Sequence, residues 1–185
     1  MVLDFKNFPQ LQTDRLILRN IVNTDADLIH KLHSDETVNA FVGRDNSSTL
    51  QKAKDYILKM QNLIEQNKCI YWVINLKESN DLIGSVCLWN FDPENEIVEI
   101  GYEMLTEFQG KGIMSEAIKE VIKYAFEEIH AKIITAFPSS DNINSVAMLK
   151  KMNFEFEDKK YNNTHEKVKN LVTYTLRNNK KYNHF

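Results

Sequence analysis

Gln109–Ala117 reads QGKGIMSEA. Two of the chain's five glycines bracket Lys111, and an apolar helical pattern begins at once. The first turn of a helix carries backbone N–H groups without intrahelical partners, and next to a glycine bend these make an anion site. Working outward, Ser115–Ile129 carries an unbroken apolar stripe at helical spacing: Ala117, Ile118, Val121, Ile122, Ala125, Phe126 and Ile129. Upstream the period is two. CIYWVINL, DLIGSVCLWNF and IVEIGYEML read as three antiparallel strands, with turns at KESND and DPENE. Downstream, KIITAF (Lys132–Phe137) is a further strand. Strand, crossover helix and strand favour parallel alignment of the strands on either side of the QGKG helix.

The rest of the chain is read the same way. DRLILRNI (Asp14–Ile21) alternates as a first strand. Asn23, Thr24 and Asp25 offer N-caps to ADLIHKLHSDETVNAF, one helix or two short ones. GRDNSS is a loop, and Thr49–Gln66 is a helix with Leu50, Ala53, Ile57, Met60 and Ile64 on one face. Asn142–Met152 is a short helix, NFEFEDKKY and KNLVTYTL form a closing hairpin, and RNNKKYNHF is a loose polar tail. The order is one β, two α, three β, then α-β-α-β-β, with no internal repeat or linker.

The 185 residues suit one domain spanning 1–185, with a core over about 11–176 and a short tail at 177–185. Net charge is −3, with 43% hydrophobic and 26% charged residues, which argues against a general nucleic-acid binder. No apolar run reaches the ~18–20 residues of a membrane span, and MVLDFKNFPQL lacks the apolar core of a signal peptide. The expected address is the cytoplasm. Cys69 and Cys87 lie in strand-like runs as buried thiols, and their spacing offers no metal site. The sequons at Asn46 and Asn162 carry no weight at that address.

Three phosphate-cradling readings of QGKGIM compete. A P-loop needs a glycine where Leu105 stands and Ser or Thr where Gly112 stands, so that reading fails. A dinucleotide fingerprint needs a third glycine, and Gly110-Lys111-Gly112 is followed by Ile113, Met114 and Ser115. The third is a pyrophosphate held by glycine-opened backbone, the positive helix end, Lys111 and the Ser115 hydroxyl. On these six residues alone, a tight strand-to-helix turn explains the glycines equally well.

Gln109–Met114 resembles the acyl-CoA signature of the GNAT N-acetyltransferases, Gln/Arg-x-x-Gly-x-Gly/Ala. LQTDRLILRNI resembles the opening strand of the Rim-type branch, which acetylates ribosomal-protein N-termini. DLIGSVCLWNF and VEIGYEMLTEFQGKGIMSEAI resemble its central strands and pyrophosphate segment, and DNINSVAMLKKMNFEFE its Asn-x-x-Ser helix. The likeness runs from about Leu11 to Leu176 in one order. It implies an α/β (α+β) GNAT fold, a mixed twisted six- or seven-stranded sheet with helices on both faces. It also implies an acetyltransferase moving acetyl from acetyl-CoA to an amine. Two departures are visible. Met114 replaces Gly or Ala, so its side chain must point away from the phosphates. Asn153 replaces a glycine after the last helix, where asparagine tolerates the left-handed conformation.

The implied site residues follow. The backbone of Gln109, Gly110, Lys111, Gly112, Ile113 and Met114, with Ser115, holds the pyrophosphate. Backbone at Met104 and Leu105 pairs with the pantetheine arm, an N–H near Met104 suits the oxyanion, and Asn142 hydrogen-bonds the cofactor. Glu99 matches a general-base position on the strand, and Glu103 lies on the same strand face at even spacing. A solvent-facing strand carboxylate is the competing reading for both. Many members keep a tyrosine acid where this chain has Leu149; Ser145 matches the serine thought to serve Rim-type enzymes, with a plain first-turn polar residue as its alternative. A thiol of pKa near ~8.5 leaves with little help. Presenting a neutral α-amine (pKa near ~8) at pH 7 costs about 1.4 kcal/mol, and a lysine-type amine (~10.4) about 4.6 kcal/mol, so an α-amine acceptor needs only a modest base.

His30 and His33 read as surface or packing histidines, and Trp72 and Trp89 as core or pocket wall. Asp92, Glu94, Glu96, Glu99, Glu103 and Glu107 gather acid at one hairpin, solvated at the turn and available to a cationic amine along the strand. The first expected acceptor is a protein N-terminal α-amine, and the second a polyamine, aminoglycoside or other small amine. No metal is expected. The chain is expected as a monomer or as a homodimer through an exposed strand edge. A non-catalytic CoA-binding regulator and a nucleotide-binding enzyme are the rival classes.

Overall fold

The period-two runs pair into one sheet, and the helical stripes cover both of its faces. The computed structural model describes residues 1–42, 49–79 and 81–178; the GRDNSS loop with the sequon at Asn46, and the tail beyond 178, lie outside the described residues. The strands are β1 (Leu11–Gln12) and β2 (Leu16–Asn20), then after three helices β3 (Cys69–Leu76), β4 (Leu82–Asp92) and β5 (Ile97–Met104). The helices between are α1 (Ala26–Ser34), α2 (Glu36–Asn39) and α3 (Leu50–Glu65). The second half runs α4 (Ile113–Glu127), β6 (Ile133–Ala136), α5 (Ile143–Lys151), β7 (Glu155–Phe156) and β8 (Tyr174–Arg177). Sheet order is β1-β2-β3-β4-β5-β6-β8-β7. Every pairing is antiparallel except β5–β6, which is parallel as the crossover helix requires. The sheet has eight strands rather than six or seven, because a two-residue bridge at Leu11–Gln12 adds a strand ahead of β2.

ADLIHKLHSDETVNAF forms two helices. Asp35 ends α1 in extended backbone and caps α2 by accepting from the N–H groups of Thr37 and Val38. Asp25 does not cap α1 as expected. Its buried carboxylate instead takes both arms of the Arg19 guanidinium, at 2.8 and 2.9 Å, and the Val22 N–H. Within the sheet, side chains alternate between faces. Trp72 meets Tyr124 of α4 edge to face at 5.6 Å, and Tyr71 meets Tyr56 of α3 on the opposite face at 5.8 Å. The even-numbered residues of β3 therefore look to α4 and the odd-numbered ones to α3.

α5 has only one buried side chain, Leu149, at 0% exposure. The helix is further held by its Asn142 cap and stopped by Asn153, which takes the expected left-handed φ of 63°. Leu149→Ala is expected to cost about 2–5 kcal/mol. At roughly 2–4 °C per kcal/mol for a chain of this size, the melting temperature followed by circular dichroism falls by at least about 4 °C.

Candidate active site

β5 and β6 pair over only three rungs, Ile97↔Ile133, Val98↔Ile134 and Glu99↔Thr135, and then part. The Leu105 N–H donates to the Ile83 carbonyl of β4, whereas the Val98 carbonyl accepts from the Thr135 hydroxyl of β6 at 3.4 Å. By strand alternation, the backbone groups of Ile100, Tyr102 and Met104 face the gap that β6 leaves. A cavity of about 520 Å³ occupies this divergence. It is lined from β5 by Glu99, Gly101 and Glu103, and from beyond β6 by Phe137, Ser139 and Ser145.

The QGKG segment lies at one end of β5. Gly110 and Gly112 take left-handed φ of 75° and 73°, and α4 starts at Ile113, two residues before the expected Ser115. The N–H groups of Ile113, Met114 and Ser115 have no backbone acceptor in this first turn. Met114 is 9% exposed and packs in the core, so its side chain leaves that turn open. Lys111 places its ammonium over the Phe108 ring at 5.4 Å. Glycine bends, bare N–H groups and a nearby cation fit the pyrophosphate that the resemblance implies.

Three expected cofactor contacts, Leu105, Asn142 and Ser145, hold hydrogen bonds within the fold. Leu105 donates its N–H to Ile83, and its carbonyl accepts from Phe108. The Gln109 side chain turns back and donates to the Met104 carbonyl at 2.9 Å, bracing the end of β5 and leaving the Met104 N–H toward the gap. Asn142 accepts from the Ser145 N–H at 3.1 Å, so its side-chain oxygen serves as a helix cap. Ser145 shares a 2.8 Å hydrogen bond with the Tyr102 hydroxyl. Burial pushes the Tyr102 phenol up to about 12, against a small opposing effect of Ser145, so it stays a neutral donor. Leu149 lies wholly in the core and supplies no acid.

The opposite wall is acidic and aromatic. Glu99 is 2% exposed; one carboxylate oxygen lies 2.5 Å from His165 Nε2, and the other accepts from Asn90 Nδ2 at 3.2 Å. Asn90 reaches it because the β4 register shifts between Trp89 and Asp92 and Asn90 adopts φ 48°, a bulge that re-aims the side chain. Glu103 faces Ser85 at 3.4 Å and Tyr71 at 3.5 Å. His33 Nε2 lies 3.5 Å from Glu103, within ion-pair reach but outside hydrogen-bond geometry. Two further acids are paired at the surface: Glu96 at the hairpin turn with Lys132, and Glu107 beyond the far end of β5 with Lys31. A hydrogen bond to Cys69, burial and the two carboxylates push the Cys87 thiol well above its usual range. It stays neutral and is no nucleophile. Among the described residues, no group of three or more acidic, His or Cys side chains is placed to hold a metal ion.

Sequence reading did not single out His165, Tyr102, Asn90 or Arg15. Arg15 donates to the Lys111 carbonyl at 3.3 Å and pairs with Glu116 of α4 at 2.6 Å. Glu116 also accepts from the Thr13 hydroxyl and the Arg15 N–H, which clamps the first turn of α4 to the strand ahead of it. Burial opposes ionisation of Glu116, but these bonds outweigh it and hold the carboxyl below its usual range. Its contribution is therefore complete above the ordinary carboxylate range and is lost as pH falls through the folded-state value. Glu116→Ala is expected to cost about 1–3 kcal/mol at pH 7 by urea unfolding, with the difference from wild type shrinking below about pH 4.

Residues 15–155 match the model of the acetyltransferase (GNAT) domain family. The uncharacterized N-acetyltransferase YoaA of Bacillus subtilis (strain 168) is 33% identical over 150 residues, 81% of this chain and 85% of that protein. Among solved structures, the ribosomal-protein-S5-alanine acetyltransferase from Vibrio fischeri superposes with a TM-score of 0.73 at 22% identity, covering 92% of this chain and 97% of that one. The spermidine N-acetyltransferase from Vibrio cholerae, in complex with CoA and spermine, gives 0.74 at 18% identity, covering 89% and 96%. With a parted parallel strand pair running into a glycine-opened helix, and a family match over most of its length, the chain belongs to the GNAT acetyltransferases and is an acetyl-CoA-dependent N-acetyltransferase.

Proposed function

We propose that this chain acetylates the α-amine at a protein or peptide N-terminus. The observation that carries the reading is the modest basic machinery of the cleft where β5 and β6 part: Glu99 on the β5 wall with His165 against it. A modest base suffices for an amine of pKa near ~8 but must supply about 4.6 kcal/mol for a lysine-type amine. The likeness to a ribosomal-protein acetyltransferase supports the same class of acceptor.

In this reading, acetyl-CoA supplies the thioester, and the first turn of α4 with Gly110, Lys111 and Gly112 binds its pyrophosphate. The Met104 N–H meets the developing oxyanion. The Ser145 and Tyr102 hydroxyls stand where the leaving sulfur gains charge. The amine enters over Glu99 and Glu103, and its nitrogen attacks directly, because Cys87 stays protonated.

One observation favours a second acceptor. Glu99 and Glu103 share a strand face four residues apart, roughly 13 Å between Cα atoms. Both line the cavity. A linear polyamine with two cationic ends fits that spacing, and the likeness to a spermidine N-acetyltransferase supports it.

Thermal-shift titration with acetyl-CoA, CoA, NAD and ATP tests the cofactor. Acetyl-CoA at a hundredfold its dissociation constant stabilises by about 2.7 kcal/mol, a rise of roughly 5–11 °C. NAD and ATP should give none, and a response to NAD or ATP alone would overturn the reading. Thiol release with free-amine peptides, N-blocked lysine peptides and spermidine then selects the acceptor. Gly101 forms the cavity floor, where an added Cβ would lie 3.1 Å from Cys87 Sγ and 3.8 Å from Trp89 Nε1. Gly101→Val should raise KM for the amine at least about tenfold, the loss of roughly 1.4 kcal/mol of binding. Acetyl-CoA affinity should be unchanged.

A further inference from the structure

Glu99 is the hidden member of a pair. Its two oxygens are covered, one by His165 and one by Asn90, while the His165 side chain keeps 24% exposure and lines the cavity. The imidazole is held between Trp89 and Phe137, each ring centroid 5.7 Å away. The loop over 157–173 that carries it is pinned at several points. Asn90 donates to the Asn162 carbonyl at 2.8 Å, the His165 N–H donates to Asn163 at 3.1 Å, and Asn170 donates to Asp141 at 2.9 Å.

We propose that His165 removes the proton from the acceptor amine and that Glu99 is a positioning residue acting through it. The inference rests on the acetyl-transfer reading. An ionised carboxylate only accepts hydrogen bonds, so Nε2 carries the proton donated to Glu99. Nδ1 then holds the lone pair and is the basic atom. The negative charge of Glu99 stabilises the imidazolium as it forms, as a buried carboxylate does for the histidine of a serine hydrolase.

The step balances. The acceptor ammonium first gives one proton to solvent; the neutral amine nitrogen then bonds the thioester carbonyl carbon and passes a second proton to Nδ1. The C–S bond breaks with its electron pair on sulfur. The thiolate takes a proton from solvent, and the imidazolium returns its proton to solvent. The titratable groups around the imidazole are Glu99 from β5 and Cys87 from β4, whose thiol feels the charge of Glu99. Glu166 and Lys167 follow in its own loop, and Trp89 and Phe137 are uncharged.

His165→Gln keeps an N–H donor for Glu99 but has no base. With acetyl-CoA and a panel of free-amine peptides plus spermidine, it should lose about 10²–10⁴-fold in kcat. Its melting temperature and acetyl-CoA dissociation constant should stay at wild-type values. The wild-type kcat/KM should rise with pH along an imidazole limb that the variant lacks, and added imidazole should restore part of the rate of His165→Ala. Glu99→Gln should lose less than His165→Gln, and more of its loss should appear at pH 7 than at pH 9. A His165→Gln enzyme within about threefold of wild type, on an acceptor the wild type acetylates, overturns the assignment.

If the wild type acetylates no amine in the panel, the acetyl-transfer reading fails on its own. Nitrogen-15 shifts of labelled histidine, assigned by their loss in His165→Ala, then judge the dyad separately. A neutral His165 protonated on Nε2, and altered by Glu99→Gln, supports the dyad. A proton on Nδ1 overturns it.

Discussion

The constraint on which the rest of this structure depends is the parting of β5 and β6 after Glu99 and Thr135. A parallel pair continued to the end of β5 would satisfy the backbone of Ile100, Tyr102 and Met104 and seal the sheet. Parted, it leaves those groups toward the gap beside the cavity that Glu99, Gly101 and Glu103 line. The reason lies in chain path: β6 is only four residues long and turns away at Phe137-Pro138 into the α5 cap, where Pro138 has no N–H to continue a ladder. β8 takes up the far edge of β6, so the sheet continues beyond the gap.

The two sides of the gap have opposite electrostatic character. On the α4 side lie the bare N–H groups of a helix start and Lys111, which suit a pyrophosphate. On the α3 side lie Glu99 and Glu103 among Tyr56, Tyr71 and Trp89, which suit a cationic amine approaching before it loses its proton. In the proposed reading, a thioester held on the α4 side and an amine held on the α3 side meet at β5. That geometry favours direct transfer within a ternary complex. A neutral, half-buried Cys87 points the same way, since no thiolate stands ready to carry the acetyl group.

Several residues are explained by support rather than contact. Gln109 belongs to the family signature, yet its side chain braces the Met104 carbonyl and so fixes the end of β5 from which the helix departs. Asn142 caps α5 and thereby sets the Ser145 hydroxyl on Tyr102. Glu116 ties α4 to Thr13 and Arg15, so the opening strand helps to aim the glycine turn. Met114, bulky where the family prefers a small residue, is accommodated because its side chain joins the core while its N–H stays at the helix end.

Local periodicity alone determined a good deal. The α4 stripe, the three long strands, the glycine turn and the left-handed Asn153 were legible, because each is written within one or two turns or a few strand residues. The family resemblance singled out Glu99 and Ser145, and both line the cavity. Only the tertiary structure decided that Glu99 is covered, because its partner His165 stands 66 residues away, on a loop with no periodic signal. The same holds for Tyr102 and Ser145, 43 residues apart, and for the bulge that turns Asn90 inward. Whether a backbone N–H faces a cofactor or a neighbouring strand, as at Leu105, depends on register. Register is set by how strands pair across the whole sheet, which no single stretch of sequence contains.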